Sequence, residues 1–315
     1  MTISIIDCGT NTFHLLIAET TERSFKVIYK KNIAVKLGQG GIDDGMIAPA
    51  AFTRGLNALK EFNESNKEYK AEKVLAFATA AVRKASNGDD FINTVHQQTG
   101  IEVKLIDGNT EAELIYYGVR QAVELGDEKN LIMDIGGGSV EFIIADANTI
   151  FWKQSFELGA ALLLEKFKPS DPITDKEIEE LEHYIGLQLQ PLIKAMQLFP
   201  GINTLVGSSG SFETFAEMIS EQFYSLQFDY SDKTEFELSL AHYESIHQLL
   251  LGSTSAERKA MKGIIDMRVD MIVIASILLH YVIHNAPIEK LKLSTYALKE
   301  GMLYFAMNDN FEAKS

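Results

Sequence analysis

Apolar runs at 3–7, 13–19 and 25–35 predict three strands in succession. Pro49 to Asn66 predicts a helix: Pro49 suits its first turn, and Phe52, Leu56, Leu59 and Phe62 recur on one face. Val74 to Ala78 predicts a strand, Asp89 to Thr99 a helix ended by Gly100, and Val103 to Ile106 another strand. A further helix, capped by Asn109 or Thr110, carries Glu111 in its first turn. From Asn130 the order begins again, with strands at 130–135, 140–147 and 149–157, helices at 159–167 and 174–196, a strand at 202–207 and a helix from Ser211. Helices at 241–251 and 269–285, a strand at 288–293 and a closing helix from Ala297 complete the pattern. Strand-strand-strand-helix-strand-helix thus occurs twice, a repeat of architecture rather than of sequence. It predicts an α/β chain of two domains, 1–122 and 123–300, each a mixed sheet flanked by helices, with an interdomain cleft. Residues 301–315 form a terminal helix expected to pack back on the first domain. No low-complexity linker separates the halves, so 120–126 is expected to act as a hinge.

Each half carries the same device. Ile5-Ile6-Asp7-Cys8-Gly9-Thr10-Asn11-Thr12-Phe13-His14 and Leu131-Ile132-Met133-Asp134-Ile135-Gly136-Gly137-Gly138-Ser139-Val140-Glu141-Phe142 both run an apolar strand to an Asp, turn on small residues and leave on a second strand. Such a turn points consecutive amide NH groups at one place, a concave site for phosphate oxygens, and the Asp can hold a divalent metal. A single Asp-x-Gly step is most often an ordinary hairpin. Three successive glycines, however, weaken a sheet unless something approaches the backbone closely, and acids such as Asp134 and Glu141 are depleted in strands. Two facing copies would grip successive phosphates of one ligand.

The chain has 315 residues, 46% hydrophobic and 23% charged, enough for two soluble globular cores. Its start runs straight into Asp7 and reads as a strand, not a signal peptide. The most apolar later stretch, Met271 to Leu279, is too short to span a bilayer, so no membrane association and a cytoplasmic location are expected. The lone Cys8 reads as a small packing residue. The net charge of −15 is uneven: residues 1–122 hold 14 Lys and Arg against 15 Asp and Glu, while 123–315 hold 15 against 29. A long polyanion should therefore leave along the first domain, past Lys30, Lys31, Lys36, Arg83 and Lys84, although isolated solvated lysines explain most of these equally well. No basic stripe with interleaved aromatics argues for nucleic acid. His280 and His284 are four apart on an apolar helix; without an accompanying acid motif they read as core-edge residues rather than zinc ligands.

Together these residues resemble the actin/sugar-kinase/heat-shock-protein ATPase superfamily and, within it, the exopolyphosphatase and guanosine pentaphosphate phosphohydrolase (Ppx/GppA) family. Asp7 to His14 looks like that family's opening Asp-x-Gly-Ser-Asn-Ser turn, and Asp134 to Glu141 is its most characteristic string. Ala78-Thr79-Ala80-Ala81-Val82-Arg83 is similar to its Thr-x-x-x-Arg segment, and Asp107-Gly108-Asn109-Thr110-Glu111-Ala112 to its Ser-Gly-x-Glu-Glu-Ala. Gly207-Ser208-Ser209-Gly210, Arg268-Val269-Asp270 and Ala297-Leu298-Lys299-Glu300-Gly301 supply later matches, so the resemblance spans the chain. It departs at Asp107 and Thr110, where the family usually has Ser and Glu, at Lys299, usually Arg, and at Ile274-Ala275-Ser276, where a Gly-containing step is usual. Longer members carry a C-terminal helical domain. The chain ends soon after Gly301, so processive digestion of very long polyphosphate is not expected.

The resemblance implies two actin-like (ribonuclease H-like) domains and a metal-dependent hydrolase of terminal phosphoanhydrides, acting on inorganic polyphosphate or guanosine pentaphosphate. The absence of any clear guanine-reading feature slightly favours polyphosphate. By resemblance Glu111 orients or deprotonates the attacking water, and Arg83 places its forked donors on the phosphoryl oxygens. Gly9, Thr10, Asn11, Thr12, Gly136, Gly137, Gly138 and Ser139 supply phosphate contacts. Gly207, Ser208, Ser209 and Gly210 bind a further phosphate or nucleotide, or simply let the sheets approach. Asp134, Glu141 and Asp7 hold Mg2+ or another divalent cation. A kinase of the same superfamily and a nucleotide-binding regulator or actin-like assembly protein stay open as alternatives, as does the oligomeric state, a homodimer included.

Overall fold

The computed structural model describes residues 1–22, 24–41, 44–226, 228–230 and 233–308. The chain divides into two compact units: Met1–Gly118 with the described residues from Leu298 onward, and Val119–Ala297.

In the first unit, strands β1 (Thr2–Cys8), β2 (Thr12–Thr20) and β3 (Phe25–Ala34) run each antiparallel to the next, followed by helix α1 (Pro49–Glu68), β4 (Lys73–Ala78), short α2 (Ala80–Lys84), α3 (Gly88–Thr99), β5 (Val103–Leu105) and α4 (Gly108–Ala122), whose last four residues count with the second unit. The sheet order is β3-β2-β1-β4-β5, with β1, β4 and β5 parallel. Six of the seven residues of β1 are buried, as expected of a strand covered on both faces. On one side α1 and α3 close over Phe13, Leu15, Leu59, Phe62 and Phe91. A Cβ at Gly55 would come within 2.9 Å of the Phe91 ring, so the glycine lets α3 reach α1.

The second unit contains β6 (Asn130–Ile135), β7 (Val140–Ala145), β8 (Ile150–Phe156), α5 (Ala160–Phe167), α6 (Asp175–Gln188), α7 (Gln190–Leu198), β9 (Thr204–Ser208), α8 (Ser209–Ile219) with a π-turn at Ser220–Tyr224, β10 (Glu235–Leu238), α9 (Leu240–Leu251), α10 (Ser255–Ala260), α11 (Ile272–Asn285) and β11 (Lys290–Ser294). Its sheet order is β10-β11-β9-β6-β7-β8. Again the first three strands are antiparallel, and β6, β9 and β11 are parallel. The topology of β1 to β5 is thus repeated by β6, β7, β8, β9 and β11. α11 is apolar nearly all round and buries nine residues, from Ile272 to Val282, in the core of this unit. α12 (Leu298–Met307) belongs to the first unit and packs on β1 and β2.

Several expectations need correction. The single helix expected over 174–196 is two, parted at Leu189, because Pro191 starts a new helix far better than it continues an old one. The helices expected from Ser211 and at 269–285 begin at Ser209 and Ile272. α2, α10 and β10 escaped the pattern: none exceeds six residues, and only Leu238 of β10 is buried. Neither Asn109 nor Thr110 caps α4. The Asp107 carboxylate does, accepting the Asn109 and Thr110 amides at 2.8 Å and the Thr110 hydroxyl at 3.0 Å. The Thr110 amide chiefly, with the other two donors and the Arg83 charge, holds this carboxyl below its ordinary pKa. The tail of the expected 301–315 helix, 309–315, lies outside the described residues.

Candidate active site

In the second unit Asp134 stands directly opposite Glu141 across β6 and β7. Asp134 also stands opposite Ser208 on β9, and Glu141 opposite Ser155 on β8. Cross-strand partners project from the same face, with Cβ atoms about 5 Å apart. Ser208, Asp134, Glu141 and Ser155 therefore form one polar row across four strands. The Ser208 hydroxyl donates to Asp134 Oδ2 at 2.6 Å, and the Ser155 hydroxyl to Glu141 Oε1 at 2.6 Å. Asp134 and Glu141 are 6% and 1% exposed. Two carboxylates this close and this buried repel one another unless a proton or a cation stands between them.

Beyond this row the chain turns. The Gly136 amide closes the turn on the Ser139 carbonyl at 3.0 Å, while the Gly136 and Gly137 carbonyls accept the Ala160 and Leu162 amides at the start of α5, both at 3.0 Å. The turn's carbonyls are consumed from inside. The amides of Gly137, Gly138 and Ser139 donate to no backbone acceptor among the described residues. Gly159 makes this contact fit, since a Cβ there would sit 2.4 Å from Gly137 and Gly138 backbone atoms. The missing side chain at the helix start lets the glycine turn settle on it.

The first unit repeats the arrangement with different residues. Asp7 stands opposite His14 on β2, and His14 opposite Asn32 on β3, with His14 Nδ1 2.8 Å from Asn32 Oδ1. His14 occupies the topological position of Glu141, and Asn32 that of Ser155. The Thr10 and Asn11 carbonyls accept the Gly38 and Lys36 amides at 3.1 and 2.8 Å. Amides of Gly9, Thr10 and Asn11 donate to no backbone acceptor among the described residues. Cys8 points to the opposite face and is fully buried, which pushes its thiol pKa up and keeps it an inert packing group.

Arg83 and Glu111 come together at the carboxyl ends of parallel strands, the usual location of ligand sites in such sheets. Arg83 follows β4 within α2 and Glu111 follows β5 in α4; Arg83 Nη1 lies 3.5 Å from Glu111 Oε2 and donates to the Ile106 carbonyl. The Glu111 side chain is 8% exposed and that of Arg83 26%. Nη2 and Nε of Arg83 have no partner among the described residues, so its outer edge stays available.

The segment Gly207 to Gly210 has internal reasons for its composition. A Cβ at Gly207 would lie 1.9 Å from the Phe212 ring, and one at Gly210 1.7 Å from the Arg268 guanidinium. Arg268 in turn donates to Thr214 Oγ1 at 2.8 Å and pairs with Glu213 at 3.3 Å. Ser208 serves Asp134, and Ser209 opens α8 in the left-handed region at φ 72°. Two of the basic residues expected along a polyanion's exit form ion pairs within the first unit. Lys30 pairs with the buried Glu300 of α12 and Lys31 with Glu61 of α1, so neighbouring lysines of β3 are spent on helices covering opposite faces. The sequence reading missed Ser155, His14, Asn32 and Gly159. Counting strand positions outward from the 146–149 turn would have brought Ser155 to Glu141, had the bulge at Ile144/Ala145 been anticipated.

Comparison with known proteins agrees with this fold. The model of the Ppx/GppA phosphatase family matches residues 16–310. An exopolyphosphatase structure from Cytophaga hutchinsonii superposes with a TM-score of 0.95 at 40% identity, covering 98% of each chain. A Haemophilus influenzae protein provisionally named an exopolyphosphatase is 27% identical over 312 residues, 98% of this chain and 92% of its own. The Aquifex aeolicus member of the Ppx/GppA family, at 22% identity and a TM-score of 0.80 over 100% of this chain and 99% of its own, shares the fold.

Proposed function

The chain belongs to the Ppx/GppA phosphatase family, and from that premise we propose that it hydrolyses terminal phosphoanhydride bonds, releasing phosphate from inorganic polyphosphate. The observation that carries this reading is the duplicated turn. In each unit a buried Asp stands one residue before the end of the first strand, and three consecutive amides, Gly9 to Asn11 and Gly137 to Ser139, have no backbone acceptor among the described residues. Convergent amides of this kind receive phosphate oxygens.

Asp134, Glu141 and Asp7 are hard oxygen donors, and the opposed pair Asp134–Glu141 fits a divalent cation, with Mg2+ the natural candidate. Bound there, a divalent cation supplies charge neutralisation for the phosphate oxygens. The chain's own residues do the rest. Ser208 and Ser155 fix the rotamers of the two carboxylates. The turn amides orient the phosphates. Arg83, steadied through one nitrogen by Ile106 and Glu111, offers its outer nitrogens to the transferred phosphoryl as negative charge shifts during bond cleavage. Glu111, nearly buried beside that guanidinium, accepts a hydrogen bond from the attacking water and takes its proton.

Guanosine pentaphosphate presents the same terminal bond and is the finer question of substrate. Phosphate release from long polyphosphate, short polyphosphate, guanosine pentaphosphate and ATP, each with Mg2+ or with chelator, ranks them. Release from polyphosphate that chelator abolishes is the expected result. Activity with none of the four, or undiminished by chelator, would remove the proposal.

A further inference from the structure

The acid that His280 and His284 lack in local sequence arrives from other helices. The two histidines lie one turn apart on α11, on the same helix face. α9 brings Glu244 and α6 brings Glu182 to them. One ligand atom from each of Glu244, His280 and His284 lies within 4.8 Å of the others.

The nitrogens are sorted as metal ligation requires. His284 Nδ1 stands 3.0 Å from the His280 carbonyl, an arrangement that places its proton on Nδ1 and leaves the lone pair on Nε2. His280 turns Nδ1 toward Glu182 Oε1, 3.7 Å away, and Nε2 toward Glu244 Oε2 at 3.5 Å. The latter separation is long for a hydrogen bond. It matches the spacing of two ligands each about 2.0–2.1 Å from a tetrahedral ion, roughly 3.4 Å. Glu182, too far from Nδ1 for a hydrogen bond, puts a negative charge beside the outer edge of that imidazole. His247 stacks on the His280 ring at 4.1 Å, and His284 lies at 3.9 Å from that ring, so the His280 imidazole is held in plane.

We propose that Glu244, His280 and His284 form a binding site for a zinc-class transition-metal cation, completed by water, that ties α9 to α11. The donor set separates it from the carboxylates of the glycine turn, because two imidazoles with one carboxylate favour Zn2+ over Mg2+. His284 is exposed and gives the ion a route in. The inference stands on this cluster alone and is independent of the hydrolytic reading.

The test uses the full chain, stripped with chelator, dialysed into Mg2+-containing buffer and titrated with ZnCl2 by calorimetry. One zinc per chain is expected, and at about 100-fold over Kd the melting temperature should rise by roughly 5–10 °C. Co2+ at the same stoichiometry should show the visible absorption of four-coordinate geometry. His284→Ala and Glu244→Gln should each weaken zinc binding by about 10-fold or more. His284 is exposed, so its variant should melt like wild type without zinc. Asp134→Asn should keep the zinc stoichiometry. No zinc binding by wild type in Mg2+ buffer, unchanged affinity in His284→Ala, or loss of zinc in Asp134→Asn would each overturn the assignment.

Discussion

Asp134 and Glu141 face one another across the β6–β7 hairpin, and the outer neighbour of each is a serine donating to it at 2.6 Å. The sheet register, not a loop, aims both carboxylates. A register shift of one residue would send the whole row to the other face.

Ser208→Ala removes the hydroxyl on Asp134 without changing the strand. A hydrogen bond to a charged group contributes about 1.5–3 kcal/mol, so the variant should melt lower than wild type. It should also need several-fold more Mg2+ for half-maximal phosphate release. An unchanged Mg2+ requirement would mean that Ser208 does not orient the carboxylate.

Gly159→Ala puts a methyl group 2.4 Å from the glycine turn. Overpacking of this kind costs about 1–3 kcal/mol, and here the displaced atoms carry the amides proposed to receive phosphate. Activity should fall further than stability. Gly201→Ala is the control: its φ of 90° strains any side chain, but nothing lies within 4 Å, so stability should drop slightly with turnover preserved.

Arg83→Lys keeps the charge and loses the fork. We expect kcat/KM to fall by roughly 10–100-fold with the fold intact. Kinetics equal to wild type would argue against contact between this residue and substrate.

Asp107→Ala should destabilise the first unit by about 1 kcal/mol at neutral pH, while Asp107→Ser should restore most of that, since both Asp and Ser cap helices well. The capping carboxyl is held below its ordinary value of 3.8. Its contribution is therefore present above that value and lost as pH falls through the lowered folded-state pKa. Denaturant midpoints of wild type and Asp107→Ala should differ at pH 7 and converge below that folded-state value.

Much of this was legible in the chain. Apolar alternation marked the strands carrying Asp7, Asp134 and Glu141, and the local strings around Arg83 and Glu111 marked their neighbourhoods. What stayed hidden is long-range. Ser155 and Ser208 reach Glu141 and Asp134 through sheet register, which a bulge and a parallel crossover conceal from local reading. Lys30 and Lys31 look like one basic patch in sequence, yet strand alternation separates them. Gly159 is unremarkable until the turn it accommodates lies against it. Asp107 was readable as a cap in principle. The match to Thr110 and Asn109 drew the helix start two or three residues too late.

The proposed hydrolysis turns on Glu111 acting on water beside Arg83, and Glu111→Gln tests it most directly. The substitution keeps size and hydrogen bonding while removing the base. Single-turnover phosphate release from polyphosphate, measured alongside equilibrium binding of the same substrate, should show release reduced by about 100-fold or more with binding retained. Release at the wild-type rate in the glutamine variant would contradict the central claim.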